Sequence, residues 1–519
     1  MLGGIKGMIN NITVWLDETA EKYPNKVAFS DENKKVTFKE LRNDALFLAK
    51  KITEKELFKN PIAVMIEKSV DTLIAFMAVA YSGNFYTVID IDMPESRKKK
   101  IFEILRPSLV ISQKKNQYLV EQLSIVPQKI LCIDDDIETN VSEKKVLLQR
   151  DRCCDTDILY ILFTSGSTGV PKGVTICHRS VVDYIDWVES TFVITDKDTF
   201  GNQAPFYFDN SVLDIYTCIK TGATLEIIPK NLFAQPVRLL NYLVDKKINT
   251  IFWVPSELVL VANLHALKKV DLTHSLKRIL FAGEVMPTKQ LNEWIKYLPQ
   301  AMYANLYGPT EITVDCSFYI VDRVFEDNEP IPIGNPIKNS DVFVLNEKNE
   351  LVSGSEVGEL CVRGTSLSLG YYNNLEKTQE VFVQNPLNSM YHELIYRTGD
   401  LVRYNEYGEL VYVSRKDYQI KHMGHRIELG EIENVVAGMQ GINSCCCVYD
   451  EKKKKIVLVY EGKQEKEKII SLLNSLLPDY MIPGKILSID SMPLNANGKI
   501  DRKMIKEIIQ GEISEKISE

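Results

Sequence analysis

Between residues 60 and 306 the chain keeps returning to one pattern: an apolar run of strand length followed by a longer stretch with helical spacing. Residues 62–66, 86–89, 109–111, 130–133, 158–163, 224–228, 250–254 and 278–282 read as strands, and 72–81 and the segment beginning near Arg179 as helices. Such alternation buries both faces of each strand only when helices cover a parallel sheet on two sides, so two doubly wound α/β halves are expected. Upstream, helical spacing around Val14, Leu16, Leu41, Leu46 and Leu48 is interrupted by a β-like patch at 27–29. From about 330 to 415 the pattern shifts to short strands with glycine turns, at 342–345, 359–363 and 409–413, which predicts a small β unit. Residues 418–519 alternate strands such as 456–460 with charged helices and predict a compact α+β unit.

One connection within this alternation carries chemistry. Thr164-Ser165-Gly166-Ser167-Thr168-Gly169-Val170-Pro171-Lys172-Gly173 lies between the apolar run 158–163 and a second β-prone run, 174–177, and predicts a strand-loop-strand hairpin. Its glycines let the backbone approach a ligand closely, its hydroxyls can bridge phosphate oxygens, and Lys172 offers a mobile positive charge. Pro171 and the missing helix after Lys172 separate it from the Walker pattern. A Gly/Ser run can also be a plain linker, but a fixed Pro and Lys between two strands favour a phosphate loop.

Composition narrows the remaining classes. A formal net charge of −8 over 519 residues, with dispersed lysines, lacks the basic face that phosphate-backbone binding demands, so no nucleic-acid partner is expected. The ten cysteines include Cys153-Cys154 and Cys445-Cys446-Cys447, and no paired Cys-x-x-Cys spacing accompanies them, which predicts free thiols in a reducing cytoplasm. The triple cysteine sits in an apolar run and reads as small buried strand residues rather than a metal site. The longest apolar run, 73–81, is too short to span a bilayer, and Asp17 and Glu18 do not suit a signal peptide, so neither membrane nor secretion is expected.

Taken in chain order, a series of motifs resembles the adenylate-forming superfamily, and within it the amino-acid adenylation domains of nonribosomal peptide synthesis. They are Val36-Thr37-Phe38-Lys39-Glu40-Leu41, Tyr81-Ser82-Gly83-Asn84-Phe85-Tyr86, the phosphate loop, Phe208-Asp209-Asn210-Ser211, Asn305-Leu306-Tyr307-Gly308-Pro309-Thr310-Glu311 and Gly370-Tyr371-Tyr372. Tyr396-Arg397-Thr398-Gly399-Asp400-Leu401, Ser414-Arg415-Lys416-Asp417, Gly424-His425-Arg426-Ile427-Glu428, Leu477-Pro478-Asp479-Tyr480 and Asn497-Gly498-Lys499-Ile500 follow. The resemblance implies a large N-terminal domain, residues 1–416, of two doubly wound α/β subdomains plus a small β-barrel. A smaller mobile α+β lid, 417–519, would turn about a hinge at Asp417.

It also implies a two-step reaction, in which a carboxylate attacks the α-phosphate of ATP and a thiol then displaces AMP. Thr164, Ser165, Gly166, Ser167, Thr168, Gly169 and Lys172 would hold phosphates, and Asn305, Tyr307 and Gly308 the nucleotide, with Tyr307 stacking on adenine unless it is simply a buried core tyrosine. Asp400 would accept the ribose hydroxyls and Arg415 would partner ribose or phosphate. Thr310 would contact the α-phosphate, Glu311 would bind magnesium, and Lys499 would bridge the substrate carboxylate and the α-phosphate. Lys421 and Gly424 would act in the transfer step, to the pantetheine of a carrier protein acting in trans.

The acyl pocket carried over by position comprises Asp209, Asn210, Leu213, Ser256, Leu280, Ala282, Leu306, Val314 and Asp315. Asp209 would pair with a substrate α-ammonium, or else cap the helix that follows it. A buried carboxylate at Asp315 needs a partner, which a hydroxyl or amine on the substrate would supply, so serine or another small polar amino acid is the first expectation. D-alanine, as in freestanding carrier-protein ligases of cell-wall modification, is the second, and an acyl-CoA ligase a more distant alternative.

Overall fold

A computed structural model describes residues 9–123, 129–135, 139–166, 170–416, 419–493, 500–510 and 517–518. Ser167, Thr168, Gly169, Asp417 and Lys499 lie outside the described residues. The chain divides into two compact units, one of Met1–Ile91, Leu105–Leu162 and Gly173–Lys416, the other of Asp92–Ile104, Phe163–Lys172 and Asp417–Glu519.

In the first unit, the expected α/β layers are built on two sheets. Five parallel strands run in the order Ile130–Cys132, Leu109–Ser112, Pro61–Met65, Phe85–Val88, Ile158–Thr164, and Lys172–Cys177 extends the sheet to six. The other sheet has nine strands. Its six parallel members are Met302–Tyr307, Arg278–Phe281, Thr250–Trp253, Thr199–Asn202, Thr224–Ile227 and Val27–Ser30. The antiparallel Ser317–Ile320, Asn335–Pro336 and Lys35–Thr37 form its edges. The two sheets are therefore not consecutive halves of the chain, because the N-terminal strand Val27–Ser30 pairs with Thr224–Ile227, a partner about two hundred residues away that no local pattern announces.

Strands of both sheets and the helices between them feed one core, which includes Val64, Leu162, Phe200, Leu225 and Leu280. Helix Val70–Tyr81 is buried at every position but Asp71, as its nearly unbroken apolar sequence requires. The small β unit is a five-stranded antiparallel sheet in which the long strand Leu394–Tyr404 pairs along one edge with Gly358–Gly364. Its other edge pairs first with Phe382–Gln384 and then with Leu410–Arg415.

The second unit is α+β. Strands Ile442–Asp450, Lys455–Gly462, Lys485–Ile489 and Ile517–Ser518 form its main sheet. Alternation along the first strand sends Cys445 and Cys447 to one face, against helices Leu429–Ala437 and Lys466–Leu476, and Cys446 to the other, against Arg502–Gln510. All ten cysteines are free and only Cys154 is exposed. Among the described residues no helix is long and apolar enough to cross a membrane.

The motif at residues 36–41 has a structural meaning of its own. Thr37 Oγ1 accepts the Glu40 amide at 3.2 Å while Glu40 Oε2 accepts the Thr37 amide at 2.8 Å, a reciprocal cap that starts helix Phe38–Glu54. Thr37→Ala removes one arm of it and is expected to lower stability by about 1 kcal/mol in urea unfolding.

Candidate active site

The first unit places most of the expected nucleotide residues around one turn. Strand Met302–Tyr307 delivers Asn305, Leu306 and Tyr307, and the chain reverses through Thr310–Ile312 into Ser317–Ile320. Asn305 is fixed by donating its amide to the Pro332 carbonyl at 2.8 Å. A Cβ at Gly308 would sit 2.3 Å from the Val314 carbonyl oxygen and 2.6 Å from Asp315 Cα, so only glycine allows this approach. Thr313 and Val314 both adopt positive φ, 59° and 71°, strained for β-branched residues. The Thr313 hydroxyl, donating to the Ser366 carbonyl at 2.8 Å, and the Cys316 amide, donating to the Tyr307 carbonyl at 2.8 Å, hold the turn in place.

Each carboxylate around this turn accepts a hydrogen bond from a tyrosine. Glu311, fully buried, accepts the Tyr371 hydroxyl at 2.7 Å. Asp400 accepts the Tyr307 hydroxyl on one oxygen and Arg415 Nη1 on the other, the latter at 2.9 Å. Burial and the neighbouring Asp400 push the Tyr307 hydroxyl well above its usual range, so it stays a neutral donor. The Tyr307 ring is buried in the core shared with Ile312, Cys316 and Val342, the alternative that its sequence left open to adenine stacking. Thr310 is half-buried.

The pocket residues Leu213, Leu280, Ala282, Leu306 and Val314 belong to one buried cluster. Asp209 precedes helix Asn210–Thr221, yet its side chain makes no capping hydrogen bond, so the capping alternative does not describe it. Asn210 Nδ2 lies 3.9 Å from the place a Gly283 Cβ would take. Asp315 departs from expectation: its Oδ2 accepts the Tyr184 hydroxyl at 2.6 Å, so the protein itself supplies a partner and the case for a hydroxyl or amine on the substrate side chain loses its basis. Ser256 is engaged elsewhere, its amide and hydroxyl both donating to Glu284. Next to it, burial and then Glu284 push the Glu257 carboxyl up to about 7.

In the second unit, the loop segment 163–172 meets the hairpin of Gln419–His422 and His425–Glu428. Ser165 Oγ donates to the Arg426 carbonyl at 2.7 Å, and Lys172 Nζ lies 3.5 Å from Glu428 Oε1. Lys172 is thus not the mobile charge expected but is buried in an ion pair. A Cβ at Gly166 would lie 2.1 Å from the Val170 carbonyl oxygen, so the close approach there is to the protein's own backbone. Thr164 Oγ1 is buried with no partner among the described residues, a vacancy in hydrogen bonding that suits a phosphate oxygen. Gly424, φ 79°, and Met423, φ 51°, form the two-residue turn of the hairpin that carries Lys421.

The profile of the AMP-binding enzyme family matches residues 16–372, and that of the AMP-binding enzyme C-terminal domain matches 431–499. The chain belongs to the AMP-binding enzyme family. Gramicidin S synthase 1 of Brevibacillus brevis is 31% identical over 497 residues, covering 95% of this chain but 44% of that protein, so the chain spans less than half of that relative. Zwittermicin A synthase ZmaJ of Bacillus cereus is 30% identical over 94% of this chain and 93% of its own length. The solved structure of the Vibrio cholerae adenylation domain AlmE in complex with glycyl-adenosine-5'-phosphate shares the fold with a TM-score of 0.83 at 20% identity, covering 98% of this chain and 100% of that one.

Membership implies magnesium alongside ATP. Among the described residues no three His, Cys, Asp or Glu side chains cluster to cage a metal. A magnesium ion that arrives on a nucleotide needs only one or two carboxylates, the rest being phosphate and water, and the buried Glu311 fits that kind of site. The partners Tyr184, Tyr371, Glu284 and Glu428 were not singled out by sequence; only Tyr371 and Glu428 fell inside quoted motifs.

Two outcomes follow from these surroundings. Tyr184→Phe removes a hydroxyl donor from the buried Asp315 and is expected to destabilise by about 1 kcal/mol in urea unfolding. Glu257 carries a raised pKa, so the folded state binds more protons between pH 4.5 and about 7 and loses stability as pH rises through that window. Glu257→Gln should therefore match the parent near pH 4.5 and exceed it by on the order of 1 kcal/mol above pH 7, measured as denaturation midpoints across pH.

Proposed function

We propose that this chain activates an α-amino acid as its aminoacyl-adenylate and hands the acyl group to the phosphopantetheine thiol of a separate carrier protein. In the first step a substrate carboxylate oxygen bonds to the α-phosphorus of ATP, the bond from that phosphorus to the bridging oxygen breaks, and pyrophosphate leaves. In the second the thiol sulfur, its proton lost to solvent, bonds to the acyl carbon and AMP departs. No protein nucleophile is needed; positioned charge does the work.

On this reading Thr164, Ser165, Gly166, Ser167, Thr168, Gly169 and Lys172 take the phosphates, and Asp400, its two oxygens each retaining a free lone pair beside Tyr307 and Arg415, takes the ribose hydroxyls. Thr310 contacts the α-phosphate. Magnesium, held by Glu311, would neutralise phosphate charge as pyrophosphate leaves. Asp209 pairs with the α-ammonium, Lys499 bridges the two anions as they react, Asp417 is the hinge, and Lys421 and Gly424 attend the transfer step. What supports the amino-acid reading is Asp209, a carboxylate at the start of helix Asn210–Thr221 close enough to Tyr160 and Tyr184 that burial and its charge together hold their hydroxyls protonated.

With Asp315 partnered by Tyr184, the pocket places no demand on the substrate for a second polar group. A small amino acid is favoured, with serine and D-alanine the first to try. A D-alanine carrier-protein ligase remains the second reading and an acyl-CoA ligase the third, the latter opposed by Asp209.

Amino-acid-dependent ATP–pyrophosphate exchange across L- and D-amino acids tests the proposal, and exchange with none of them would end it. Lys499→Ala is expected to lose exchange by roughly 10²-fold or more, while thiol transfer from preformed adenylate suffers far less. Exchange equal to the parent enzyme would remove Lys499 from the mechanism.

A further inference from the structure

At the opposite end of strand Ile158–Thr164 from the phosphate loop, about 20 Å away for a seven-residue strand, the first unit contains a cavity of about 150 Å³. Phe85 and Ile158 give it apolar walls, Cys153 a thiol, and Lys59 and Asp157 a polar rim. The rim charges are mutually satisfied, since Lys59 Nζ lies 2.7 Å from Asp157 Oδ1 and Asp157 Oδ2 accepts the Cys154 amide at 2.9 Å. Gly83 and the exposed Thr156 also line it, and the last lining group is different in kind. His178 is 1% exposed, and its Nδ1 accepts the Ile12 amide at 3.3 Å.

An imidazole that accepts a hydrogen bond on Nδ1 is neutral with its proton on Nε2, and burial, which holds this histidine down at about 4, agrees with that form. With Nδ1 turned to the Ile12 amide, Nε2–H is the ring's remaining polar atom, and it has no partner among the described residues. Water reaches this atom across the cavity, so a ligand that covers it without accepting strands the donor, whereas a ligand atom that accepts from it keeps the hydrogen bond.

We propose that this cavity is a second ligand site, specific for a small uncharged ring compound bearing one hydrogen-bond acceptor, with His178 Nε2–H as the recognition donor and Phe85, Ile158 and Cys153 as the apolar cradle. The volume sets the size, because an apolar cavity of about this volume admits one six-membered ring. The self-neutralised rim sets the charge, because it offers an ion no unspent counter-charge. Cys153 is a packing surface rather than a nucleophile, since burial pushes its thiol up to about 11. Nothing in this site uses the residues assigned to nucleotide or amino-acid binding.

The test is ¹⁹F NMR titration of the full chain with two probes of equal shape, 3-fluoropyridine, whose ring nitrogen accepts, and fluorobenzene, which cannot. The expected result is saturable binding of 3-fluoropyridine at least about tenfold tighter than fluorobenzene, the worth of one buried hydrogen bond. His178→Phe should erase that preference, and Cys153→Met, which fills the cavity from another wall, should abolish binding of both. Because His178→Phe also removes the acceptor of the Ile12 amide, long-range ¹H–¹⁵N spectra of unsubstituted protein provide a second reading: the His178 Nε2–H signal should move with 3-fluoropyridine and not with fluorobenzene. Equal affinities, no binding up to the solubility limit, an unmoved His178 signal, or a preference that survives either substitution would each overturn the proposal.

Discussion

The backbone contact at Gly308 is the constraint on which the candidate site in the first unit depends. With Cβ absent, the strand end at Tyr307 lies against Val314 and Asp315, and the reversal between them is short enough to force two β-branched residues to positive φ. Strain of order 1–3 kcal/mol per residue persists only where surrounding contacts over-determine the turn, and here the Thr313 and Cys316 hydrogen bonds supply such contacts. The outcome is functional as well as structural. One side of the turn carries Thr310 and Glu311, expected to serve phosphate and metal; the other carries Val314 and Asp315, on the wall of the acyl pocket. Under the proposed function, the site that gives up the adenylyl group and the site that receives it are therefore parts of one loop, not two surfaces brought together by packing.

A second regularity is chemical. Glu311, Asp315 and Asp400 are all almost fully buried, and each accepts a hydroxyl proton from a tyrosine: Tyr371, Tyr184 and Tyr307 respectively. A tyrosine satisfies part of a carboxylate's hydrogen-bonding capacity and fixes its rotamer, yet leaves its charge in place, which a lysine partner would cancel. For Tyr184 and Tyr307 the proton stays on the phenol, because burial and the adjacent carboxylate both oppose ionisation. Asp400 also has an arginine, Arg415, and its expected ligands are neutral hydroxyls. This fits the division of labour under the proposed function: the tyrosine on Glu311 leaves its charge for a metal, and the arginine on Asp400 balances the carboxylate meant for ribose.

How much of this was legible in the chain depended on how local the cause was. The strands 278–281 and 250–253 and the two strands flanking the phosphate loop are set by neighbours in sequence and were read from pattern, whereas strand 302–307 and the cap at Thr37 lay inside quoted motifs without being read as such. The pairing of Val27–Ser30 with Thr224–Ile227 was not read, since its cause is a shared core rather than any local signal. The same line divides the site. Gly308 was read only as a nucleotide residue and not as the close backbone approach it makes, and nothing about Tyr184 marks it as the partner of a carboxylate 131 residues away, on whose missing partner the serine expectation was built. A buried carboxylate read from sequence is a demand for a donor; sequence alone cannot tell whether protein or substrate meets it.

Lys172 shows the same ambiguity from the cationic side. Its ammonium is buried 3.5 Å from Glu428, whose Oε1 also accepts the Gln419 amide, while Arg426, two residues before Glu428, donates to Gln419 Oε1 at 2.9 Å. A buried pair of this kind gains much of its attraction from low dielectric, and separating it costs that attraction. A nucleotide phosphate that takes Lys172 must therefore displace Glu428 or share the lysine with it, and a phosphate beside an unmoved Glu428 would face like charge at short range. The loop's cation and the carboxylate at the end of the hairpin strand are thus coupled: whatever draws Lys172 onto phosphate also frees Glu428 and loosens the contact between the segments 163–172 and 419–428. For an enzyme whose proposed cycle needs the 417–519 region to present different groups at its two steps, an ion pair that ligand charge can break is a physical means of linking the state of the phosphates to the position of that hairpin.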